Sequence, residues 1–386
     1  MMRCRTSVGG GMTEMGEARV RAQKPTRVAV VTNIPAPYRL QVFEHLVAHQ
    51  DLDVCVFYCS GREPDREWDL RHSPVKQQFF KEKFFTYRGK FVHCNPDAWG
   101  ALAAFRPDVV ITSGFNPTFL VAYLYARWHG AHHIAMTDGT ATTEASLSAV
   151  HRFVRRRVSA GTSAFIGASL GSFELYRSYG IADAKMFQSH LCANNDDYVG
   201  VSEQVSKTHD FVFSGRFVPG KNPLFALEVA QAVARRLGRQ MSILLLGSGE
   251  MADEMRKVAD GMATEVSATF AGFVKQAQLP SLYASARILL FPTQLDTWGV
   301  VANEACAAGL PVVVTPMAGV AGELVVHEDN GYVLPLALKA WVDACVALLT
   351  RPTLYARYAQ RSVERVKPYT YRNAAEGIYE AVLSTR

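Results

Sequence analysis

No apolar run in the 386-residue chain approaches the ~20 residues that a membrane-spanning helix requires. No apolar h-region follows the charged opening either. "MMRCRTSVGGGMTEMGEARVRAQKP" mixes glycine, methionine and charge, so it does not read as a secretory signal. Residues 1–25 are expected to be a disordered tail, or an over-extended start with translation beginning at Met12 or Met15. Cysteine is scarce: seven residues are scattered singly, apart from Cys55 and Cys59 in the apolar stretch VCVFYC. A spacing of four on a strand puts both thiols on one face, which points to buried thiols in a reducing compartment, the cytoplasm, rather than a metal pair. The usual nucleic-acid-binding modules are absent, and no nucleic-acid partner is expected.

What is present is a well-packed α/β pattern. Hydrophobic residues make up 49% of the chain and charged ones 20%, which fits a folded protein too long for one ordinary core. Short β-branched runs at 27–32, 53–58, 108–113, 132–137 and 163–168 alternate with helical stretches at 38–49, 117–128 and 170–179. The aromatic, basic segment 59–96 fits less well and reads as a loop with short strands. After a polar stretch at 194–204 a second series begins, with strands at 210–215, 242–247, 267–272, 287–292 and 311–316. This alternation predicts two doubly wound domains, 26–198 and 199–367, followed by a helix at 371–383 set apart by Pro368. In such sheets ligands bind beyond the carboxyl ends of the strands, so the residues just after each strand are the ones to weigh.

Two groups stand out there. Arg216 and Lys221 lie five apart on a strand-to-helix loop, where a guanidinium fork and an ammonium point charge can hold a diphosphate. The plainer alternative is two exposed loop cations. Asp296 and Glu304 lie eight apart around Thr297-Trp298-Gly299. A helix starting near Gly299 would offer its free amides to a phosphate. Carboxylates only accept hydrogen bonds, which suits sugar diols. Asp296 as a mere cap and Glu304 as a surface residue is the alternative, but Glu304 sits in an otherwise small or apolar run, 300–308. A third feature is the run Arg152, Arg155, Arg156 and Arg157. The three- and four-residue spacing places Arg152, Arg155 and Arg156 on one helical face, either a solvated face or an anionic membrane contact.

The series "SGRFVPGKNP", "LLLGSGE", "FAGFV", "LYASARILLFPTQLDTWGVVANEACAAGLPVV" and "GELVVHEDNGYVLP" resembles the second domain of the retaining family-4 glycosyltransferases, of the GT-B fold. "NIPAPYRLQVFEHL" and "LGSFELYRSYGIADAKMFQSH" are more loosely similar to the first domain. The resemblance implies two Rossmann-like domains facing a cleft, with the acceptor on the first domain, a UDP-, GDP- or dTDP-sugar on the second, and the last helix packing back on the first. It implies transfer of a hexose, with retention, to a glycan, lipid-linked or small-molecule acceptor, without a metal or other cofactor. Arg216 and Lys221 would bind the donor diphosphate and stabilise the leaving group. Asp296 would hold the transferred sugar. Trp298, Gly299 and Val300 would face the sugar and β-phosphate through their backbone. Glu304 would bind the ribose, while Phe273 and Val274 would border the base.

The chain departs from the family pattern in three places. Asp296 replaces the usual first glutamate of the acidic-x7-Glu motif, with Trp298-Gly299 for Phe-Gly. Ile34-Pro35-Ala36-Pro37 stands where a double-glycine loop is common. Ser113 or Asp138 occupies the place of a first-domain histidine, making Asp138 a candidate for contacting either sugar, or else a helix cap. A nucleotide-sugar epimerase or hydrolase, or a binding protein without turnover, remain alternatives on the same fold.

Two decoys need separating from this site. Gly247-Ser248-Gly249, with Ala252, mimics a dinucleotide fingerprint, but it follows the second strand of its domain. No acidic residue ends a neighbouring strand ~20 residues later, so the dehydrogenase reading fails. Gly247 and Gly249 are expected to let the chain pass close to the donor phosphates. Asp51-Leu52-Asp53 is formally a D-x-D metal motif, yet it precedes a strand and so lies at the wrong end of the sheet.

Overall fold

The computed structural model describes residues 24–61, 72–87, 90–145 and 147–386. Most of the expected tail, residues 1–23, lies outside them.

The strands of the first domain are β1 (Thr26–Thr32), β2 (Leu52–Tyr58), β3 (Lys76–Phe79), a hairpin of β4 (Phe84–Tyr87) and β5 (Lys90–His93), then β6 (Val109–Thr112), β7 (His132–Thr137), β8 (Ala164–Gly167) and β9 (Met186–Gln188). Seven of them form a parallel sheet in the order β3-β2-β1-β6-β7-β8-β9, with the hairpin standing apart. The second domain contains β10 (His209–Ser214), β11 (Met241–Leu246), β12 (Val266–Gly272), β13 (Ala286–Phe291), β14 (Val312–Val314) and β15 (Gly331–Val333), parallel in the order β12-β11-β10-β13-β14-β15. Helices cover both faces, which is why the central strands are near-continuous apolar runs: Val28 to Val31 and Ile288 to Leu290 are fully buried. Both sheets reverse their strand order once, between β1 and β6 and between β10 and β13. A crevice opens at each reversal. The fold is the expected pair of doubly wound α/β domains.

The helix Tyr371–Leu383 returns to the first domain. Gly377 lies so close to β9 that an added Cβ would sit 1.7 Å from the carbonyl oxygen of Gln188, so only glycine fits. Tyr379 stacks on His49 at 3.8 Å and donates to Asp51, which also pairs with Arg386 at 2.7 Å. Asp53 is engaged by Lys76 at 2.6 Å. Asp51 and Asp53 are thus taken up by ion pairs at the amino ends of the strands, and Asp51 holds the C-terminal helix. The described cysteines form no disulfide; Cys55 and Cys59 share one buried cluster with Phe57 and Phe80. Among the described residues no helix is long and apolar enough to cross a membrane.

Candidate functional site

The loops after β10 and β13 meet at the strand-order reversal of the second sheet. The first runs Gly215 to Asn222 and ends in a single 3-10 turn, Pro219–Lys221, before the helix Pro223–Leu237. Asn222 adopts a left-handed conformation (φ 54°) that lets the helix start abruptly. Phe217 is buried and anchors the loop, while Arg216 is exposed.

The Gly-x-Gly turn after β11 is what this loop rests on. Gly215 N–H donates to the Leu246 carbonyl at 2.9 Å, Phe217 N–H to Ser248 at 2.7 Å, and Met251 N–H to Phe217 at 3.0 Å. A Cβ on Gly247 would meet the Gly215 oxygen at 1.9 Å, and one on Gly249 the Phe217 oxygen at 2.5 Å, with both glycines at positive φ. The close approach that these glycines permit is therefore to the backbone of the Arg216 loop. They shape the Arg216 loop from behind.

The second loop is tied to the first. Gln294 N–H and Thr293 Oγ1 both donate to the Gly220 carbonyl, at 2.9 and 3.2 Å. Lys221 Nζ donates to Asp296 Oδ2 at 2.5 Å, with the two side chains 21% and 20% exposed. This pair joins residues that the sequence presented as separate constellations. From the other side Asp296 is held by the loop after β14: Asp296 N–H donates to Met317, Gly319 N–H to Asp296 and Val320 N–H to Trp298, all at 3.1 Å. Gly319 is needed there, because a Cβ would lie 2.0 Å from the Thr297 oxygen.

Trp298 is fully buried; its indole N–H donates to Asn303 at 2.8 Å and its ring packs near Tyr369. Gly299, at φ 110°, caps the helix Val300–Ala307, and a side chain there would strike the Phe291 ring. The first amides of that helix have no partner within it, so the helix presents a ready anion site beside Lys221 and Asp296.

Glu304 lies inside the same helix, 8% exposed, and accepts the Tyr283 hydroxyl at 2.7 Å. Burial pushes its carboxyl up to about 7, with the tyrosine hydrogen bond pulling the other way. Tyr283 and its neighbour Tyr198 had no assigned role in the sequence; a tyrosine before a strand carries no motif by itself. Phe273 is exposed and Val274 half-buried just beyond β12.

Asp138 follows β7 on the first domain and reaches across the cleft, its Oδ2 3.5 Å from the Thr297 hydroxyl. It is not a helix cap: the short helix Ala141–Glu144 is capped by Thr140. The arginine run needs a correction. Arg155 does not share the outer face; it turns inward, over the Phe115 ring and against Glu144 at 2.9 Å, on the same side as buried Val158 and Ser159. Tyr179 completes this contact, donating to Glu144 at 2.7 Å. Arg152, which bonds the Leu147 carbonyl, Arg156 and Arg157 are exposed, together with Val150 (71%) and Phe153 (64%). A step of three residues rotates a helix by about 60° from the eclipsed position, enough to carry Arg155 into the domain.

Residues 195–365 match the family described as Glycosyl transferases group 1. An uncharacterized glycosyltransferase of Methanocaldococcus jannaschii is 32% identical over 120 residues, 31% of this chain and 30% of that protein. The D-inositol 3-phosphate glycosyltransferase of Rhodococcus erythropolis is 26% identical over 176 residues, 44% of this chain and 40% of that protein. This chain thus spans well under half the length of these curated relatives. The Anabaena HepE structure in complex with UDP superposes with a TM-score of 0.72 at 14% identity, covering 93% of this chain and 100% of that one.

Proposed function

We propose, because residues 195–365 match the glycosyl transferases group 1 family, that this chain transfers a hexose from a nucleotide-diphosphate sugar to an acceptor hydroxyl with retention of configuration. The observation that carries this reading is the Lys221–Asp296 pair beside the amino end of the helix Val300–Ala307. A cation and an amide cluster for the diphosphate then adjoin a carboxylate for the sugar hydroxyls. As the bond between the anomeric carbon and the phosphate oxygen lengthens, Lys221 and Arg216 offset the charge growing on the leaving diphosphate. The acceptor oxygen attacks on the face that the diphosphate leaves, and a phosphate oxygen takes the acceptor's proton. Asp138 lies on the acceptor side of this arrangement, and Glu304 receives the ribose hydroxyls. No metal is needed for charge balance, so turnover should survive excess EDTA.

UDP is the first nucleotide to try, since the similar Anabaena structure holds it, with GDP and dTDP beside it. The test is incubation with a panel of UDP-, GDP- and dTDP-sugars, with and without cell-envelope lipid extract, following nucleoside diphosphate release and the anomeric proton of the product. Acceptor-dependent release with a retained anomer is the expected outcome. Sugar interconversion would instead identify an epimerase, acceptor-independent release a hydrolase, and binding without turnover a scaffold.

The acceptor in this reading is lipid-linked, and the enzyme is a cytoplasmic protein that meets it at an anionic inner leaflet. The exposed Arg152, Arg156 and Arg157 flank two protruding apolar side chains, Val150 and Phe153. Each basic residue near such a surface contributes ~1 kcal/mol, weakened by salt. The protein should sediment with phosphatidylglycerol liposomes at low ionic strength and be released at high salt. An Arg152→Gln, Arg156→Gln, Arg157→Gln variant should lose this association and keep turnover on a soluble acceptor analogue. Equal sedimentation of the two proteins would make the run a solvated face.

A further inference from the structure

Glu323 belongs to the second domain, in the loop after β14, yet two of its hydrogen bonds are made in the first. Its Oε2 accepts the backbone N–H of Leu170 at 2.8 Å, and its Oε1 accepts Gln188 Nε2 at 3.3 Å. Leu170 opens the helix Leu170–Ser178, whose cap Ser169 serves the amide of Ser172. Glu323 therefore satisfies an amide that has no partner inside its own helix, placing a carboxylate at the positive end of the helix dipole.

The loop that carries Glu323 is the one whose Met317, Gly319 and Val320 backbone pairs with Asp296 and Trp298. One short segment thus joins the wall of the sugar site to the first domain. We propose that Glu323 is a positioning residue that latches the two domains together over the donor site. The consequence for catalysis rests on the glycosyl-transfer reading; the latch itself does not.

Burial pushes the Glu323 carboxyl up to about 7, while its two hydrogen bonds act in the opposite sense. The titratable and charged groups around it are few. Tyr369, on the second domain, has its hydroxyl raised by burial and by Glu323, with Arg365 acting the other way. His190, on the first domain, packs against Tyr369 and is held down to about 4 by burial and by Arg39. Neither tyrosine nor histidine changes charge near neutrality, so Glu323 is the group that titrates there.

Opening the cleft would hydrate Glu323 and return it toward the ordinary carboxylate range. A group whose pKa is higher closed than open favours closure below its open value, and that advantage is lost as pH rises through about 7. The neutral carboxyl can be satisfied in the closed form: its carbonyl oxygen accepts Leu170 N–H, and its hydroxyl donates to the Gln188 amide oxygen once that amide turns over.

Small-angle scattering of the whole protein without substrate tests this separately from any transfer activity. The wild-type radius of gyration should increase between pH 5.5 and 8.5. Glu323→Gln, which keeps both contacts and carries no charge, should stay compact across the range, and Glu323→Ala should be expanded throughout. With donor and acceptor, Glu323→Ala should lose roughly 10- to 100-fold in kcat/KM, the scale of a small misplacement of reacting groups, and Glu323→Gln should restore it. A wild type and Glu323→Ala of equal dimensions at every pH would overturn the latch. So would a Glu323→Gln variant that expands with pH as the wild type does.

Discussion

Replacing Lys221 by alanine should lower kcat/KM by about 100-fold or more while leaving the thermal midpoint nearly unchanged. The ammonium is expected to be worth more in the transition state than in the ground state, because the diphosphate gains charge as the sugar departs. The structure adds a second reason for a large effect. Lys221 is bonded to Asp296 at 2.5 Å, so its removal also leaves the sugar-binding carboxylate without its cation. About a fifth of each side chain still faces the open cleft, where water can solvate the Asp296 carboxylate left behind, hence the small thermal change.

Asp296→Asn should have a different profile. It removes the internal competitor for Lys221, so nucleoside diphosphate affinity should rise while transfer falls. The two substitutions remove parts of one unit, so their combined effect on kcat/KM should be smaller than the sum of the separate losses. Calorimetric titration of nucleoside diphosphate against the three variants, beside turnover with the donor identified by the panel, reads all of this. A Lys221→Ala enzyme with near-wild-type turnover would put the diphosphate elsewhere.

Glu304→Gln should weaken nucleoside diphosphate binding by roughly 10- to 100-fold, the scale of a hydrogen bond to a charged acceptor, and at the same time stabilise the unliganded protein at alkaline pH. The carboxyl is raised to about 7 by burial in the folded chain. A group raised in this way contributes stability that is fully present below its ordinary value and is lost as pH rises through about 7. Glutamine does not ionise, and its amide oxygen still accepts the Tyr283 hydroxyl. Its advantage should therefore be small at pH 5 and of order 1–3 kcal/mol at pH 8.5. Thermal melts of both proteins at the two pH values, without ligand, give the comparison. A variant no more stable than wild type at pH 8.5 would contradict the assignment of a buried ionisable carboxyl held for a ligand.

Much of the fold could be read from apolar runs such as those ending at Thr32 and Phe291, since strands covered on both faces leave an unbroken signature. The strands Met186–Gln188 and Gly331–Val333 were not legible, because MFQ and GYV lack the unbroken β-branched run that marks the equally short Val312–Val314. Gly331 instead earns its place by contact: a Cβ there would meet the Val312 oxygen at 2.0 Å. Spacing picked out Arg216, Lys221, Asp296 and Glu304 as candidates, and the apolar neighbours of Glu304 anticipated its burial. That Lys221 meets Asp296 could not be read from spacing, since β10 and β13 become neighbours only through the strand-order reversal. The inward turn of Arg155 could not be read from its helix because the apolar residues do not mark one face: Val150 and Phe153 are exposed while Val158 is buried, and Glu144 and Tyr179, outside the helix, decide it. Glu323 gave no signal at all, as its partners Leu170 and Gln188 lie on the other domain.

The central claim is that a nucleotide-sugar diphosphate is held where the loops after β10 and β13 meet. A crystal structure with the nucleoside diphosphate that binds in the donor panel tests it most directly. The phosphates should lie between Arg216, Lys221 and the amides at the start of the helix Val300–Ala307, with the ribose within hydrogen-bonding reach of Glu304. A nucleotide bound instead on the first sheet, beyond β1 or β6, or one whose phosphates touch neither Lys221 nor that helix, would contradict the account.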